Sequence, residues 1–226
     1  MSSPTRFPYG LTTTTKASNL GQFILPDVTK AHTYFNDFDV YAAGDWTITQ
    51  TSTSAAALAN IDGGALTISN GTADDSISVY QLANESFKFQ VGKKLWFKAR
   101  FQVSDATDSD VLIGLAITDT TPLDATDGVF FLKSDNSAVC SLKVVKNSTA
   151  TTTTAATLVS ATMVTLGYYY NGVDEIQIFV NDVQVGTSAV TNLPDDEELA
   201  VIFAVQNGAA ASKTMTVDYI LAAKER

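Results

Sequence analysis

From residue 34 onward the chain runs in short apolar and polar stretches with strand periodicity. Leu95, Phe97, Ala99, Phe101 and Val103 fall at one parity, and Trp96, Lys98, Arg100 and Gln102 at the other. A period of two sustained this long predicts a half-buried antiparallel strand. Val111–Ile117 and Leu199–Val205 are apolar at both parities, which predicts central strands covered on both faces. Tyr168–Tyr170, Asn171-Gly172 and Val173–Val180 predict a hairpin, with Asn-Gly supplying the two positive-φ residues of a type I′ turn. Glu175–Val180, Asn181-Asp182 and Val183–Val185 predict another. Thr214–Leu221 closes the chain with Met215, Val217, Tyr219 and Leu221 on one face. Roughly ten to thirteen short strands are expected. Ala55–Leu58 is the best helical candidate and is too short to stand alone. Turn signals at intervals of about 8–12 residues predict an all-β antiparallel sandwich or barrel.

Residues 1–33 have a different character. Pro4, Pro8, Gly10 and Gly21 punctuate them, Thr12–Thr15 is a single run, and no period persists. They nevertheless carry Phe7, Tyr9, Leu11, Leu20, Phe23, Ile24 and Leu25. The expected organisation is an extended N-terminal arm, 1–33, followed by a β-sandwich domain, 34–226. Arg6, Lys16 and Lys30 against Asp27 give the arm a charge of +2, which leaves −12 on the body. A sticky, weakly basic arm therefore precedes an acidic domain.

Composition narrows the class. The chain has 226 residues, 45% hydrophobic and 17% charged, so overall disorder is excluded. A net charge of −10 would repel a phosphate backbone, and no nucleic-acid partner is expected. No stretch of about 18 apolar residues and no signal-peptide core occur, so a soluble chain made in the cytoplasm, with no membrane partner, is expected. The lone Cys140 allows no internal disulfide and reads as a buried strand thiol. Asn70-Gly-Thr, Asn84-Glu-Ser and Asn147-Ser-Thr fit the glycosylation pattern, but are read as chance in a chain without a leader.

Candidate chemistry is sparse. His32 is the only histidine, and no partner Ser or Cys is evident from its sequence surroundings, so a structural role is expected. Metal sites built on several imidazoles are excluded. The acidic clusters Asp74-Asp75, Asp105/Asp108/Asp110, Asp174-Glu175 and Asp195–Glu198 sit among turn residues and read as solvated loop charge rather than a hydrolytic pair. Asp105, Asp108 and Asp110 lack the spacing of a dedicated calcium loop. No Gly-rich phosphate loop opens a helix. No catalytic, cofactor or metal residue is assigned, and a non-enzymatic chain is expected. Trp96, on the polar parity of its strand beside Lys98 and Arg100, is either covered by a neighbouring loop or the arm or is a candidate protein-interface or glycan contact. The Tyr168–Tyr170 run reads as strand rather than as a binding box. Trp46 and Trp96 are the two fluorescent reporters of any bound sugar.

From Tyr34 to the end the chain resembles concanavalin A-like, laminin-G-like jelly rolls. The residues that carry this are Tyr34-Phe-Asn-Asp-Phe38, Gly63–Ser69, Lys94–Arg100, Tyr168–Val185 and Thr216–Ile220. The arm, through Pro4-Thr-Arg-Phe-Pro8, Leu20-Gly21 and Pro26-Asp27, is similar to the N-termini of tailed-phage virion proteins. The resemblance implies an all-β jelly-roll sandwich and a capsid decoration (cement) protein on the virion exterior. Its implied partners are the major capsid protein and other copies of itself, a trimer being expected. Arg6, Phe7, Pro8, Tyr9, Leu11, Leu20, Phe23, Ile24 and Leu25 would form the attachment surface. The acidic and metal-binding motifs of lectins and glucanases in this fold are missing. The alternative reading is a glycan-binding module of a phage fibre or receptor-binding protein, with host glycans as ligands.

Overall fold

The structure is a computed structural model, and it describes residues 30–51 and 53–226. The arm residues assigned to attachment lie outside the described residues. Fifteen strands follow one another in the described part: β1 (Ala31–Asn36), β2 (Trp46–Gln50), β3 (Ala55–Leu58), β4 (Leu66–Ser69), β5 (Ile77–Leu82), β6 (Leu95–Val103), β7 (Ser109–Ala116), β8 (Gly128–Lys133), β9 (Val139–Lys146), β10 (Thr149–Thr157), β11 (Val164–Tyr170), β12 (Glu175–Val180), β13 (Val183–Ala189), β14 (Ala200–Asn207) and β15 (Thr214–Glu225). Two one-turn 3₁₀ segments, Ala43–Asp45 and Pro122–Asp124, are the only helical elements among the described residues.

All pairings are antiparallel and form two sheets. Sheet 1 runs β13-β12-β11-β6-β15-β4-β3, with β1 also paired to β15; sheet 2 runs β10-β9-β8-β7-β14-β5-β2. Their inner faces share one core, including Phe97, Phe101, Tyr168 and Ile220 from sheet 1 and Ile113, Phe131, Val201 and Phe203 from sheet 2. Each Phe or Ile buried there contributes on the order of 1.5–3 kcal/mol. The strands apolar at both parities lie where that pattern requires. β7 and β14 are neighbours in the middle of sheet 2. Val111, Ile113, Leu115, Val201, Phe203 and Val205 enter the main core. Leu112, Ala116, Ile202 and Ala204 join Phe130 in a second cluster on the opposite face, against which Leu123 packs.

Three local expectations are corrected. Ala55–Leu58 is not helical but strand β3, paired residue for residue with Leu58↔Leu66 through Ala55↔Ser69. Four residues cannot nucleate a helix, whereas an existing sheet offers ready backbone partners. The β11–β12 hairpin exists, but its turn is not type I′, because Gly172 alone has a positive φ. Asn171 Oδ1 instead accepts the amides of Val173, Asp174 and Glu175. Asn181-Asp182 is a two-residue turn with both φ values positive, as is Asn147-Ser148 between β9 and β10. Finally, the alternation in β15 changes phase. A register shift between Val217 and Tyr219 leaves Asp218 as the extra residue, so Met215 and Val217 face the core but are followed inward by Ile220 and Ala222. Tyr219 and Leu221 turn to the outer face.

Candidate functional site

The outer face of sheet 1 reads as a lattice once the register is known. Tyr169 lies beside Trp96, and Trp96 beside Ala223. In the next row Phe179, Gly167, Lys98 and Leu221 lie side by side. Gly167 is the one position in that row without a side chain. Its absence opens a notch of about 360 Å³, with Trp96, Tyr169, Phe179, Lys98, Thr165 and Asp182 among its walls. A Cβ at Gly167 would stand 3.0 Å from the Phe97 carbonyl oxygen and 3.6 Å from the Lys98 side chain.

The notch has an aromatic wall and a charged rim. Trp96 stacks on Tyr169 with centroids 5.3 Å apart and planes at 28°. Trp96 is 37% exposed, so the side chain is partly open to solvent. Opposite it, Lys98 Nζ lies 2.6 Å from Asp182 Oδ1 and 5.9 Å from the Tyr219 ring centroid. The Asp182 carboxylate raises the Lys98 pKa, and the ammonium stays charged. The β12–β13 turn that carries Asp182 brings it over β6 by way of β11 and β12. An apolar stacking surface thus faces one anionic and one cationic hydrogen-bonding group. Such a set grips a ring that is apolar on its face and hydroxylated at its edge.

The structure places Trp96 in the wall of this notch and adds Tyr169, which the sequence reading left as plain strand. The available signal was Gly167, a glycine inside an otherwise apolar strand, which marks a gap or a close approach. Trp46 is not at the site. It is 6% exposed and packs against Phe203 at 5.1 Å.

The other candidates have different surroundings. His32 Nε2 lies 3.1 Å from Ser86 Oγ, 54 positions away, and the ring lies against Phe87 at 4.8 Å. A serine therefore does stand beside the lone histidine, contrary to the expectation. Burial, then Arg226 and Lys224, lower the imidazole pKa. Those two cations disfavour the imidazolium that a general base must become. Asp105 is 2.6 Å from Lys213 Nζ and accepts the amides of Thr107 and Asp108, which together hold its pKa at about 2. Buried Lys133 places its ammonium on the carbonyls of Thr107 and Ser109, beside the same acidic loop. Lys146 pairs with Asp195 and Asp196, and Lys88 with Glu198. Among the described residues no three His, Cys, Asp or Glu side chains are grouped to hold a metal ion. Cys140 is buried, and burial pushes its thiol up to about 12. Asn70 is also buried. Its amide donates to the carbonyls of Ser76 and Val205, which removes it as a glycan acceptor.

No family model matches the chain, and no curated protein matches it in sequence. Solved structures do. An endo-1,3-beta-glucanase from Streptomyces sioyaensis superposes with a TM-score of 0.62 at 13% identity, covering 88% of this chain and 98% of that one. The carbohydrate recognition domain of Emp46p, in its potassium-bound form, gives 0.58 at 10% identity, over 83% and 94%. Peanut lectin with a bound nonapeptide gives 0.58 at 9% identity, over 86% and 97%. The fold is the concanavalin A-like antiparallel jelly-roll sandwich that the sequence led us to expect. The expectation of a non-enzymatic chain is corrected, because the same sandwich carries an endo-1,3-beta-glucanase, and the fold therefore leaves hydrolysis open.

Proposed function

We propose that this chain is a glycan-binding module that holds a saccharide ring in the notch at Gly167. The observation that carries the reading is the Trp96–Tyr169 stack standing across from the Lys98–Asp182 pair. The apolar C–H face of a pyranose lies on the indole, and its hydroxyls meet the Asp182 carboxylate and the Lys98 ammonium. The notch volume of about 360 Å³ suits one or two sugar rings rather than a long chain. The fold shared with a carbohydrate recognition domain, a lectin and a glucanase supports the same class of ligand.

A glycan array followed by fluorescence titration tests this. Trp46 lies in the core, so a sugar that shifts the emission reports on Trp96. Saturable binding lost in Trp96→Ala is the expected result. Saturable binding that Trp96→Ala leaves intact would remove the notch from the account. The bound glycans are scored for hydrolysis in the same experiment.

The place of this module on a phage head or fibre is part of the proposal that comes from the sequence resemblance of the arm. It rests on residues outside the described ones. Copy number in purified virions tests it: hundreds of copies would place the chain on the shell, and a few would place it on a tail or fibre.

A further inference from the structure

The outer face of sheet 1 continues past the notch onto β1. Leu221 and Ala223 of β15 already belong to the notch lining. On the far side of β15, Phe35 of β1 lies beside Leu221, and Thr33 beside Ala223. Phe35 is 58% exposed. Its ring lies 6.4 Å from that of Tyr219, with the planes at 39°. The bulge at Asp218 is what turns Tyr219 outward, and it leaves Tyr219 opposite Arg100. The Arg100 guanidinium pairs with the Asp218 carboxylate. An aromatic pair next to an ion pair therefore occurs twice on this face. Trp96–Tyr169 goes with Lys98–Asp182, and Phe35–Tyr219 with Arg100–Asp218. Lys98 links the two sets, because its ammonium also lies over the Tyr219 ring.

The sheet fixes the spacing of the two sets. From Trp96 to Phe35 is two strand spacings across and one two-residue step along, roughly 12 Å between backbones. One pyranose ring does not span that distance, and a trisaccharide does. Half-buried Ala223 and Leu221 lie on the path between them, and Ala223 presents only a methyl group. Charge decides between neutral and acidic chains. Lys98 and Arg100 each already face a carboxylate, so neither is a spare cation for an anionic ligand. The net charge of −10 further repels an acidic glycan.

We propose that the notch is one end of a longer site, whose ligand is a neutral, linear oligosaccharide of at least three rings. The first one or two rings sit in the notch. The chain then passes over Ala223 and Leu221, and a further ring stacks on Phe35 with its hydroxyls toward Arg100 and Asp218. Both contacts stand on one sheet, so a ring held at Phe35 adds to affinity as a linked second site does. This inference rests on the glycan reading of the notch, and adds to it the length and charge class of the ligand and a second contact.

The test is titration calorimetry of the full chain with neutral ladders of increasing length, from disaccharide to hexasaccharide. The ladders are β-1,3-gluco-, β-1,4-gluco-, α-1,4-gluco- and β-1,4-manno-oligosaccharides, and oligogalacturonate is the acidic probe. Affinity for at least one neutral ladder is expected to rise at least about tenfold from disaccharide to tetrasaccharide and then level off. Phe35→Leu is expected to erase that rise and Phe35→Tyr to keep it, which separates a stacking ring from a merely apolar side chain. Thermal melting checks that both variants fold, and the length series on the wild type needs no variant. Affinity independent of length, or a rise that Phe35→Leu leaves in place, would overturn the longer site, while disaccharide binding lost in Trp96→Ala would keep the notch reading. Failure of every neutral ladder to bind would also overturn the longer site, and the glycan array alone then decides the notch. Tighter binding of oligogalacturonate than of any neutral ladder would overturn the neutral ligand.

Discussion

Trp96 and Tyr169 are direct cross-strand neighbours on β6 and β11, and their rings stack 5.3 Å apart on the outer face of sheet 1. They are 73 positions apart in the chain, and only the pairing of β6 with β11 brings them together. Trp96→Ala should weaken saccharide binding by at least about tenfold, equivalent to about 1.4 kcal/mol. The same change should lower stability by no more than about 1 kcal/mol, since the pair is partly solvated. Titration calorimetry and urea unfolding of the one variant separate the two effects.

Gly167 forms the floor of the notch, so side-chain volume there competes with the ligand. Gly167→Val should abolish saccharide binding while far-UV circular dichroism stays that of a β-sandwich. Its Cβ would approach the Phe97 carbonyl at 3.0 Å, so some loss of melting temperature should accompany the change. Retained binding in the folded variant would show that sugar sits elsewhere.

Asn207 ties three segments together. Its side-chain amide donates to the carbonyls of Gly71 and Ala73, and its Oδ1 accepts the amide of Lys213. It is fully buried, so Asn207→Ala leaves those groups without partners. The expected cost is about 2–3 kcal/mol, read as a lower urea midpoint with an unchanged slope.

Asp105 gives the sandwich an acid sensitivity. Hydrogen bonding from Lys213, and then from the Asp108 amide, holds its pKa at about 2, below its ordinary value of 3.8. Between those values the unfolded chain binds the proton first. The contribution is therefore complete above the ordinary value and lost as pH falls through 3.8 toward about 2. With allowance for partial exposure it is on the order of 1–2 kcal/mol. Asp105→Asn should be less stable than wild type at pH 7 and should show a flatter loss of stability in that acid window.

Cys140 is the only thiol and is sealed in the core, with its pKa pushed up to about 12. At pH 8 the native chain should react with a thiol reagent only through unfolding. The labelling rate should rise with urea in step with the unfolded population. Rapid labelling without denaturant would place Cys140 outside the core.

The pattern along the chain determined the class of fold because strand periodicity is a local property. β6 matches its alternation, and β7 and β14 are covered on both faces as their two-sided apolar runs require. Trp96 was legible as an outward aromatic for the same reason. What needed the tertiary structure depends on register between distant strands. The phase change at Asp218 is set by pairing of β15 with β6, not by the spacing of Met215, Val217 and Tyr219. The notch exists because Gly167 falls beside Lys98 and Phe179, and His32 meets Ser86 across 54 positions. A sequence states which side of its own strand a residue takes. Which residues become neighbours across strands not joined by a hairpin, such as β6 with β11 and with β15, is decided by hydrogen bonding between distant parts of the chain.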